Sequence, residues 1–249
     1  MKNDEFGDRM KAYESALTGQ KVNADSILCV RIDGKRFSKF TKGFAKPFDH
    51  ALTKAMVETT KQLVKDTGAN IGYTQSDEIT LIFTIGEKAN EYIFGGKTSK
   101  INSVFASMAT ANFNHFIQKY APTTMAGKGY AYFDCRAWAV PTLTEASNVL
   151  LWRVQDARKN SISALFRWTA GAKQMMYKDQ TQMKEYLLAE HQVDWNDLSD
   201  QWKYGTYVKP VLYELDSENG PVVRSKIEAV DLGYYGDLSL EERINFIQK

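Results

Sequence analysis

ILCVRIDGKRFSKF, residues 27–40, is the stretch that decides the fold of this chain, and GYTQSDEITLIF, residues 72–83, is its downstream counterpart. In the first stretch an apolar strand ends on Asp33 and is followed at once by glycine and basic residues. The second stretch predicts a strand, a tight polar turn carrying Asp77 and Glu78, and a returning strand. Carboxylates at two strand ends are suitable ligands for a divalent metal, and backbone amides after a glycine, with cations beside them, suit a triphosphate. The pattern indicates a metal-dependent enzyme that handles nucleotides.

The order of the predicted elements over the first part of the chain is strand, helix, strand, strand, helix, strand. The predicted strands are 27–33, 71–74, 78–85 and 130–140, and the predicted helices run from Pro47 to Gly68 and from about 98 to 120. This order is the split βαβ, or ferredoxin-like, arrangement, so we predict an α+β palm domain at residues 1–140. We expect helices to cover one face of the sheet and a row of polar side chains to lie on the open face: Asp33, Glu78, Asp134 and Arg136.

After Pro141 the pattern becomes mainly helical, and we predict an extension at residues 141–249 that packs on the palm. A long helix is expected at 145–170, helical residues continue to about 190, short strands fall at 209–215 and 221–230, and a helix closes the chain at 238–247. The long helix interleaves cations (Arg153, Arg158, Lys159, Arg167) with aromatic residues (Trp152, Phe166, Trp168). This is typical of an RNA-binding face and equally of an amphipathic helix whose aromatic side chains belong to the core.

Composition places the chain among soluble globular proteins. Its 249 residues are 43% hydrophobic and 25% charged with a formal net charge of +2, so any nucleic-acid surface would have to be local. The charged N-terminus lacks a secretory signal and no apolar run reaches the roughly 20 residues of a membrane span, so we expect a cytoplasmic protein. The two cysteines lie in apolar runs and predict buried, reduced thiols, and three scattered histidines argue against a histidine-based triad.

Asp33 and Asp77 are the candidate metal ligands. Two magnesium ions held by such carboxylates can activate an attacking oxygen and neutralise a leaving pyrophosphate. The alternative for each residue is a strand-end aspartate that pairs with Arg31 or with a loop lysine. The presence of both, one followed by Gly34 and the other by Glu78, favours the metal site.

The candidate phosphate cradle follows Asp33 directly. It comprises Gly34, Lys35, Arg36, Phe37 and Ser38. Glycine allows backbone N–H groups to turn toward an anion, and the serine hydroxyl adds a donor. Lys46 and Lys100 would add positive charge to a triphosphate site, or are solvated surface lysines.

Taken together, these residues resemble the tRNA-His guanylyltransferase family of 3′–5′ polymerases. The shared motifs are RIDGKRFSKF at 31–40, KPFD at 46–49, YTQSDE at 73–78, SK at 99–100, FDCR at 133–136 and WRVQDARKNSI at 152–162. They occur in the family's order and spacing over roughly residues 25–210.

The resemblance implies a polymerase- or cyclase-type palm that works in the reverse chain direction. Family members use ATP to adenylylate an RNA 5′-phosphate, and the 3′-hydroxyl of an incoming nucleotide, usually GTP, then expels AMP. By position, Asp33, the Gly34 carbonyl and Asp77 would hold two Mg²⁺ ions, and Glu78 would support catalysis. The implied nucleotide-binding residues are the 34–38 segment, Lys46, Asp49, Ser76, Lys100, Arg136 and Asn160. Members are usually homotetramers.

Departures from the eukaryotic pattern point to one branch of the family. This chain has Arg158-Lys159-Asn160-Ser161 where that branch has His-Ile-Asn-Asn, Arg36 where it has glycine, and Ser38 where it has histidine. The variant resembles the like-protein branch of bacteria, archaea and phages, which is associated with template-dependent repair of 5′-truncated tRNA. A nucleotide cyclase and a non-catalytic RNA-binding module remain open as alternatives, as do the RNA substrate and the oligomeric state.

Overall fold

The computed structural model describes residues 5–23, 25–84, 92–216 and 220–248. The strands are β1 (Ile27–Gly34), β2 (Ile71–Gln75), β3 (Glu78–Phe83), β4 (Phe133–Val140), β5 (Thr206–Leu215) and β6 (Val222–Val230). The helices are α1 (Glu5–Thr18), α2 (Phe37–Phe40), α3 (His50–Thr67), α4 (Thr98–Tyr120), α5 (Pro122–Met125), α6 (Leu143–Ala170), α7 (Gln180–His191), α8 (Asp200–Lys203) and α9 (Leu240–Gln248). Among these, no helix is both long and apolar enough to cross a membrane.

Within the described residues the strands form one antiparallel sheet in the order β4-β1-β3-β2-β5-β6. The first four strands in this order, with α3 and α4 between them in sequence, are the predicted split βαβ arrangement, which is confirmed. In the register, Asp33 lies opposite Glu78 on one neighbouring strand and opposite Asp134 on the other. Because directly paired residues share a face, the carboxylates lie side by side across the end of the sheet.

The sheet is covered on both faces. On one face Leu28, Val30 and Ile32 are fully buried in a cluster that includes residues of α3 and α4. On the other face Cys29 belongs to a second cluster with Leu150 and other residues of α6. The expectation of an open second face is therefore wrong where α6 lies, because the apolar stripe of this helix needs a buried partner.

Local signals set the ends of the main helices. Asp49 caps α3 by accepting a hydrogen bond from the Leu52 N–H at 3.0 Å, so the helix begins after this residue and not at Pro47. At the other end Gly68 adopts the left-handed conformation. The long helix α6 ends at Ala170, since Gly171 has a φ of 89°, and helical structure does not run unbroken to 190.

The extension contributes more than helices. Strand β5 pairs with β2 and β6 pairs with β5, so the predicted short strands extend the palm sheet at its edge. The sheet contains strands from both sides of residue 140. The division into two domains at that residue stays a prediction. Ile85, the last residue of the predicted third strand, lies outside the described residues.

Candidate active site

A cleft of about 700 Å³ opens where β1, the β2–β3 turn, the segment between α2 and α3, and α6 meet. It brings together most of the residues that the sequence singled out. Those that line it are Asp33, Phe37, Ser38, Lys46, Asp49, Ser76, Asp77, Glu78, Arg153 and Asn160. The volume is that of a typical small-molecule site.

Gly34 holds the two aspartates close together. Its N–H donates to the Asp77 carbonyl at 3.1 Å, which ties the end of β1 to the β2–β3 turn. A Cβ at this position would lie 2.7 Å from Asp77 Oδ2 and 2.5 Å from the Phe37 ring. Only glycine therefore leaves room for the Asp77 carboxylate, which also accepts a 3.0 Å hydrogen bond from the Ser76 hydroxyl.

The charge of Asp77 is not compensated by the protein. Burial raises the pKa of this carboxyl to about 6; the Ser76 hydroxyl opposes the rise, and the negative charge of Asp33 adds to it. No described lysine or arginine forms an ion pair with Asp33 or Asp77. A divalent cation would relieve both the desolvation and the repulsion.

Asp33 and Asp77 suit a magnesium ion that takes only part of its ligands from the protein. In the described part of the chain no three His, Cys, Asp or Glu side chains are grouped as a metal site. Mg²⁺, however, is commonly held by one or two carboxylates and completes its shell with water and substrate phosphates. Asp33 and Asp77 match that pattern, whereas they would be a poor all-protein cage.

Glu78 lies beside Asp77, but both of its carboxylate oxygens already accept hydrogen bonds from the protein. Arg153 of α6 donates from Nε to Oε1 at 2.5 Å and from Nη2 to Oε2 at 2.7 Å, and it also contacts Asp156 at 2.9 Å. Burial raises the pKa of the Glu78 carboxyl, and the hydrogen bonds and charge of Arg153 oppose that shift. The Arg153 side chain is 10% exposed, so the structure places Arg153 inside the site, with little surface to offer to RNA.

The backbone after Gly34 forms a concave arrangement of amides. The Lys35 N–H is taken by the Tyr132 carbonyl at 2.8 Å. Arg36 is left-handed, with φ 52° and ψ 39°, and precedes the first turn of α2. As a result the N–H groups of Arg36, Phe37 and Ser38 have no acceptor among the described residues. A left-handed residue followed by helical ones makes an anion-binding nest, so these three amides are the part of the predicted cradle that can hold phosphate.

The remaining cleft residues have mixed roles. Lys46 donates to the Thr41 hydroxyl at 3.2 Å and keeps its ammonium at the cleft. The carboxylate of Asp49 is used in capping α3 and in accepting the Ala45 N–H at 2.9 Å. The amide of Asn160 donates to Asp156 at 3.2 Å, which links it to the Glu78–Arg153 pair.

Six predicted nucleotide- or RNA-binding side chains are absent from the lining of this cleft, and two of them are Lys35 and Arg36 of the predicted cradle. Lys100, near the start of α4, has its ammonium 5.3 Å from the Phe94 ring. Arg136 forms an exposed 3.2 Å ion pair with Asp134 on the edge strand β4. Farther along α6, Arg158 packs over the rings of Trp195 and Tyr234, and its neighbour Lys159 is exposed.

Sequence reasoning did not assign several of the cleft residues to this site. They are Arg31, Phe48, Asp156, Trp168, Gln201 and Trp202. The spacing of Asp156 three residues after Arg153 is a local signal that could have identified it. Nothing local marks Trp202, which reaches the cleft only because α8 folds back against the N-terminal end of α3.

Comparisons with known proteins agree with this geometry. The family model described as tRNAHis guanylyltransferase matches residues 7–141. Among curated relatives, an uncharacterised protein of Acanthamoeba polyphaga mimivirus is 32% identical, covering 96% of this chain and 89% of that protein. The tRNA(His) guanylyltransferase of Saccharomyces cerevisiae is 28% identical, covering 84% and 91%.

Two solved structures of a bacterial tRNA(His) guanylyltransferase-like protein are also similar. The complex with ATP has a TM-score of 0.86 and 35% identity, and the complex with GTP has a TM-score of 0.80 and 34% identity. Each alignment covers 98% of this chain and 99% of the other.

Proposed function

The chain belongs to the tRNAHis guanylyltransferase family and is a nucleotidyltransferase, and we propose that it adds nucleotides to the 5′ end of tRNA in the 3′–5′ direction. The observation that carries this proposal is the cleft, in which two uncompensated aspartates and a nest of free amides face the same space. A triphosphate needs both features, since its negative charge must be met by amide dipoles and by cations.

The proposed reaction has two steps. First, an oxygen of the RNA 5′-phosphate attacks the α-phosphate of ATP and displaces pyrophosphate, which leaves an adenylylated 5′ end. Second, the 3′-hydroxyl of an incoming GTP, or of a nucleotide chosen by a template, attacks the RNA 5′-phosphate and displaces AMP. The proton of the attacking hydroxyl passes to water during this second attack.

The chain's own residues position these groups. The amides of Arg36, Phe37 and Ser38 hold phosphate oxygens, and Lys46 adds positive charge beside them. Asp33, Asp77 and the Gly34 carbonyl would hold two Mg²⁺ ions, which when bound supply neutralisation of the leaving phosphates and activation of the attacking oxygen.

Glu78 and Arg153 have a supporting role in this proposal. Their paired charges keep α6 against the sheet beneath the aspartates. Because the guanidinium takes both Glu78 oxygens, the metal-binding task falls to Asp33 and Asp77.

We propose template-directed repair of 5′-truncated tRNA as the role, in preference to the obligatory addition of one G to tRNA-His. In the structural alignments, identity to the bacterial like protein is 35% and identity to the yeast enzyme is 24%. Arg36, Ser38 and Arg158-Lys159 also differ from the eukaryotic pattern, and this variant resembles the like-protein branch.

We also propose that the protein is a homotetramer. The side chains of Phe6, Met10 and Tyr13 on α1 are 66%, 40% and 68% exposed, which is unusual for one apolar stripe of a helix. Leu212 and Val223 on the β5–β6 hairpin are likewise 71% and 59% exposed. Light scattering on the purified protein should give four times the mass of one chain, and a monomer mass would contradict the proposal.

The direct test of function uses a 5′-monophosphorylated tRNA that lacks its first nucleotide. The RNA is incubated with the protein, Mg²⁺, ATP and all four nucleoside triphosphates, and its 5′ end is resolved on a sequencing gel. We expect extension by the nucleotide complementary to the opposite strand, and no extension with Asp33→Asn. Intact RNA together with a cyclic nucleotide product would instead identify a cyclase.

A further inference from the structure

An aromatic pair at the cleft is not used by the chemistry described so far. Phe48, in the segment before α3, stacks on Trp202 of α8 with ring centroids 5.1 Å apart and planes inclined by 13°. His50 packs against Trp202 at 4.6 Å. Phe48 and Trp202 both line the cleft and are partly exposed.

Polar contacts fix Trp202 and the helix that carries it. The Trp202 indole N–H lies 3.4 Å from the Thr53 hydroxyl, which itself donates to the Asp49 carbonyl at 2.9 Å. The next residue, Lys203, forms a 2.9 Å ion pair with Asp200 and donates to the Asn196 carbonyl at 3.1 Å, and these contacts stabilise α8. The rings are thus ordered before any ligand arrives, which lowers the entropy cost of binding to them.

The aromatic pair lies next to the phosphate-binding part of the cleft in the sequence. Phe48 follows two residues after Lys46, whose ammonium is tied to Thr41 at the end of α2. Polar side chains that can meet the edge of a ring, Gln75 and Gln201, line the same cleft. One ligand could therefore place a polyanion at the amides and a flat aromatic group at the rings.

We propose that the Phe48–Trp202 pair is a stacking site for a nucleobase. The base belongs either to the nucleoside triphosphate or to the 5′-terminal nucleotide of the RNA, since both present the same π-face. The proposal rests on the proposed function and adds the residues that recognise the base. It also gives α8, far away in sequence, a direct part in substrate binding.

The test separates the base from the phosphates. Calorimetry measures the binding of ATP, GTP and inorganic tripolyphosphate, each with Mg²⁺, to the full-length parent and to the variants Phe48→Leu, Trp202→Leu and Trp202→Phe. We expect both leucine variants to bind ATP and GTP about tenfold more weakly, with tripolyphosphate affinity unchanged. Trp202→Phe should retain most of the nucleotide affinity. Tyr177→Leu, which changes a 95% exposed aromatic side chain that does not line the cleft, serves as the control and should match the parent.

A second arm identifies the source of the base. It compares a 5′-monophosphorylated tRNA with the same tRNA carrying an abasic first nucleotide. If only the intact tRNA loses affinity in the leucine variants, the base belongs to the RNA; if only ATP and GTP do, it belongs to the triphosphate.

Three results would overturn the stacking site. Equal losses for nucleotide and tripolyphosphate would show that the rings only hold α8 to α3. Nucleotide and tRNA affinities unaffected by either leucine variant would overturn the stacking site alone. A parent protein that binds neither nucleotides nor tripolyphosphate would overturn the proposed function and the stacking site together.

Discussion

Asp77 and Glu78 are adjacent in sequence and both are largely buried, yet the protein treats their charges differently. Both oxygens of Glu78 are engaged by Arg153, whereas Asp77 has only a serine hydroxyl, and its pKa rises to about 6. Burying an ionised carboxylate is costly unless a cation accompanies it. The fold therefore supplies a cation to Glu78. Asp77 instead carries a desolvation cost that a bound cation can remove. A buried charge without a partner is the better marker of a functional site.

The largest expected effect distinguishes Asp77 from Glu78 by what each substitution does to the Mg²⁺-dependent activity. Asp77→Asn and Asp33→Asn should each lower the rate of 5′ nucleotide addition by about a thousandfold or more, because a metal ligand supplies several kcal/mol of transition-state stabilisation. Raising the Mg²⁺ concentration should not restore either variant. Glu78→Gln should keep the parent's Mg²⁺ half-saturation, measured by titrating the rate. A half-saturation shifted severalfold would make Glu78 a metal ligand.

Breaking the Glu78–Arg153 pair should cost the fold more than any surface change. Arg153→Met leaves buried Glu78 without its hydrogen-bonded cation, with only the Arg31 guanidinium 3.9 Å away, and should lower the free energy of unfolding by about 3 kcal/mol. Adding Glu78→Gln to this variant should recover much of the loss, since the poorly compensated charge is gone. Urea unfolding measures both.

The matched control on the same helix is Arg167→Met, since Arg167 is exposed and forms no ion pair with a described residue. It should change stability by about 0.5 kcal/mol or less. If Arg153→Met proved equally mild, the pair would not hold α6 to the sheet.

Removing the charge of Asp77 should stabilise the metal-free protein. Because its folded pKa of about 6 is above the ordinary 3.8, folding is favoured with the carboxyl protonated, and this contribution is lost as pH rises through 6. Above pH 7 in chelator, Asp77→Asn should be more stable than the parent by up to about 3 kcal/mol, and below pH 4 the two should agree.

Two controls define the origin of that difference. Mg²⁺ should stabilise the parent at pH 8 but have little effect on Asp77→Asn. Asp134→Asn, which changes a carboxylate that is 55% exposed on the edge strand, should follow the parent at every pH. A variant less stable than the parent at pH 8 would contradict an uncompensated charge.

The smallest expected effect concerns RNA. Arg158 is packed on Trp195 and Tyr234, so the structure favours exposed Lys159 as the phosphate contact. Lys159→Ala should lower the slope of log affinity for tRNA against log salt by about one. Arg158→Ala should leave that slope unchanged and lower stability by about 1 kcal/mol through lost packing. If Arg158→Ala lowered the slope and Lys159→Ala left it unchanged, Arg158 would be the phosphate contact.

The sequence by itself determined the palm and the position of its carboxylates. Alternation with a period of two identifies β1, β2, β3 and β4, and the order of elements leaves few ways to pair them. Asp33 and Asp77 were predictable as neighbours for this reason, since each ends a strand or lies in the turn between paired strands. The motif after Asp33 likewise indicated an anion site, because glycine and its neighbours act locally.

Only the tertiary structure decided which of these groups are free to act. Arg153 reaches Glu78 across 75 residues, Trp202 meets Phe48 through α8, and the Lys35 amide is taken by Tyr132. Each of these contacts depends on how α6, α8 or the start of β4 packs against the rest of the molecule. Periodicity reports which face of an element is apolar, but it does not report which distant element covers that face. The partners of the buried charges, and with them the distinction between support and chemistry, follow from that packing.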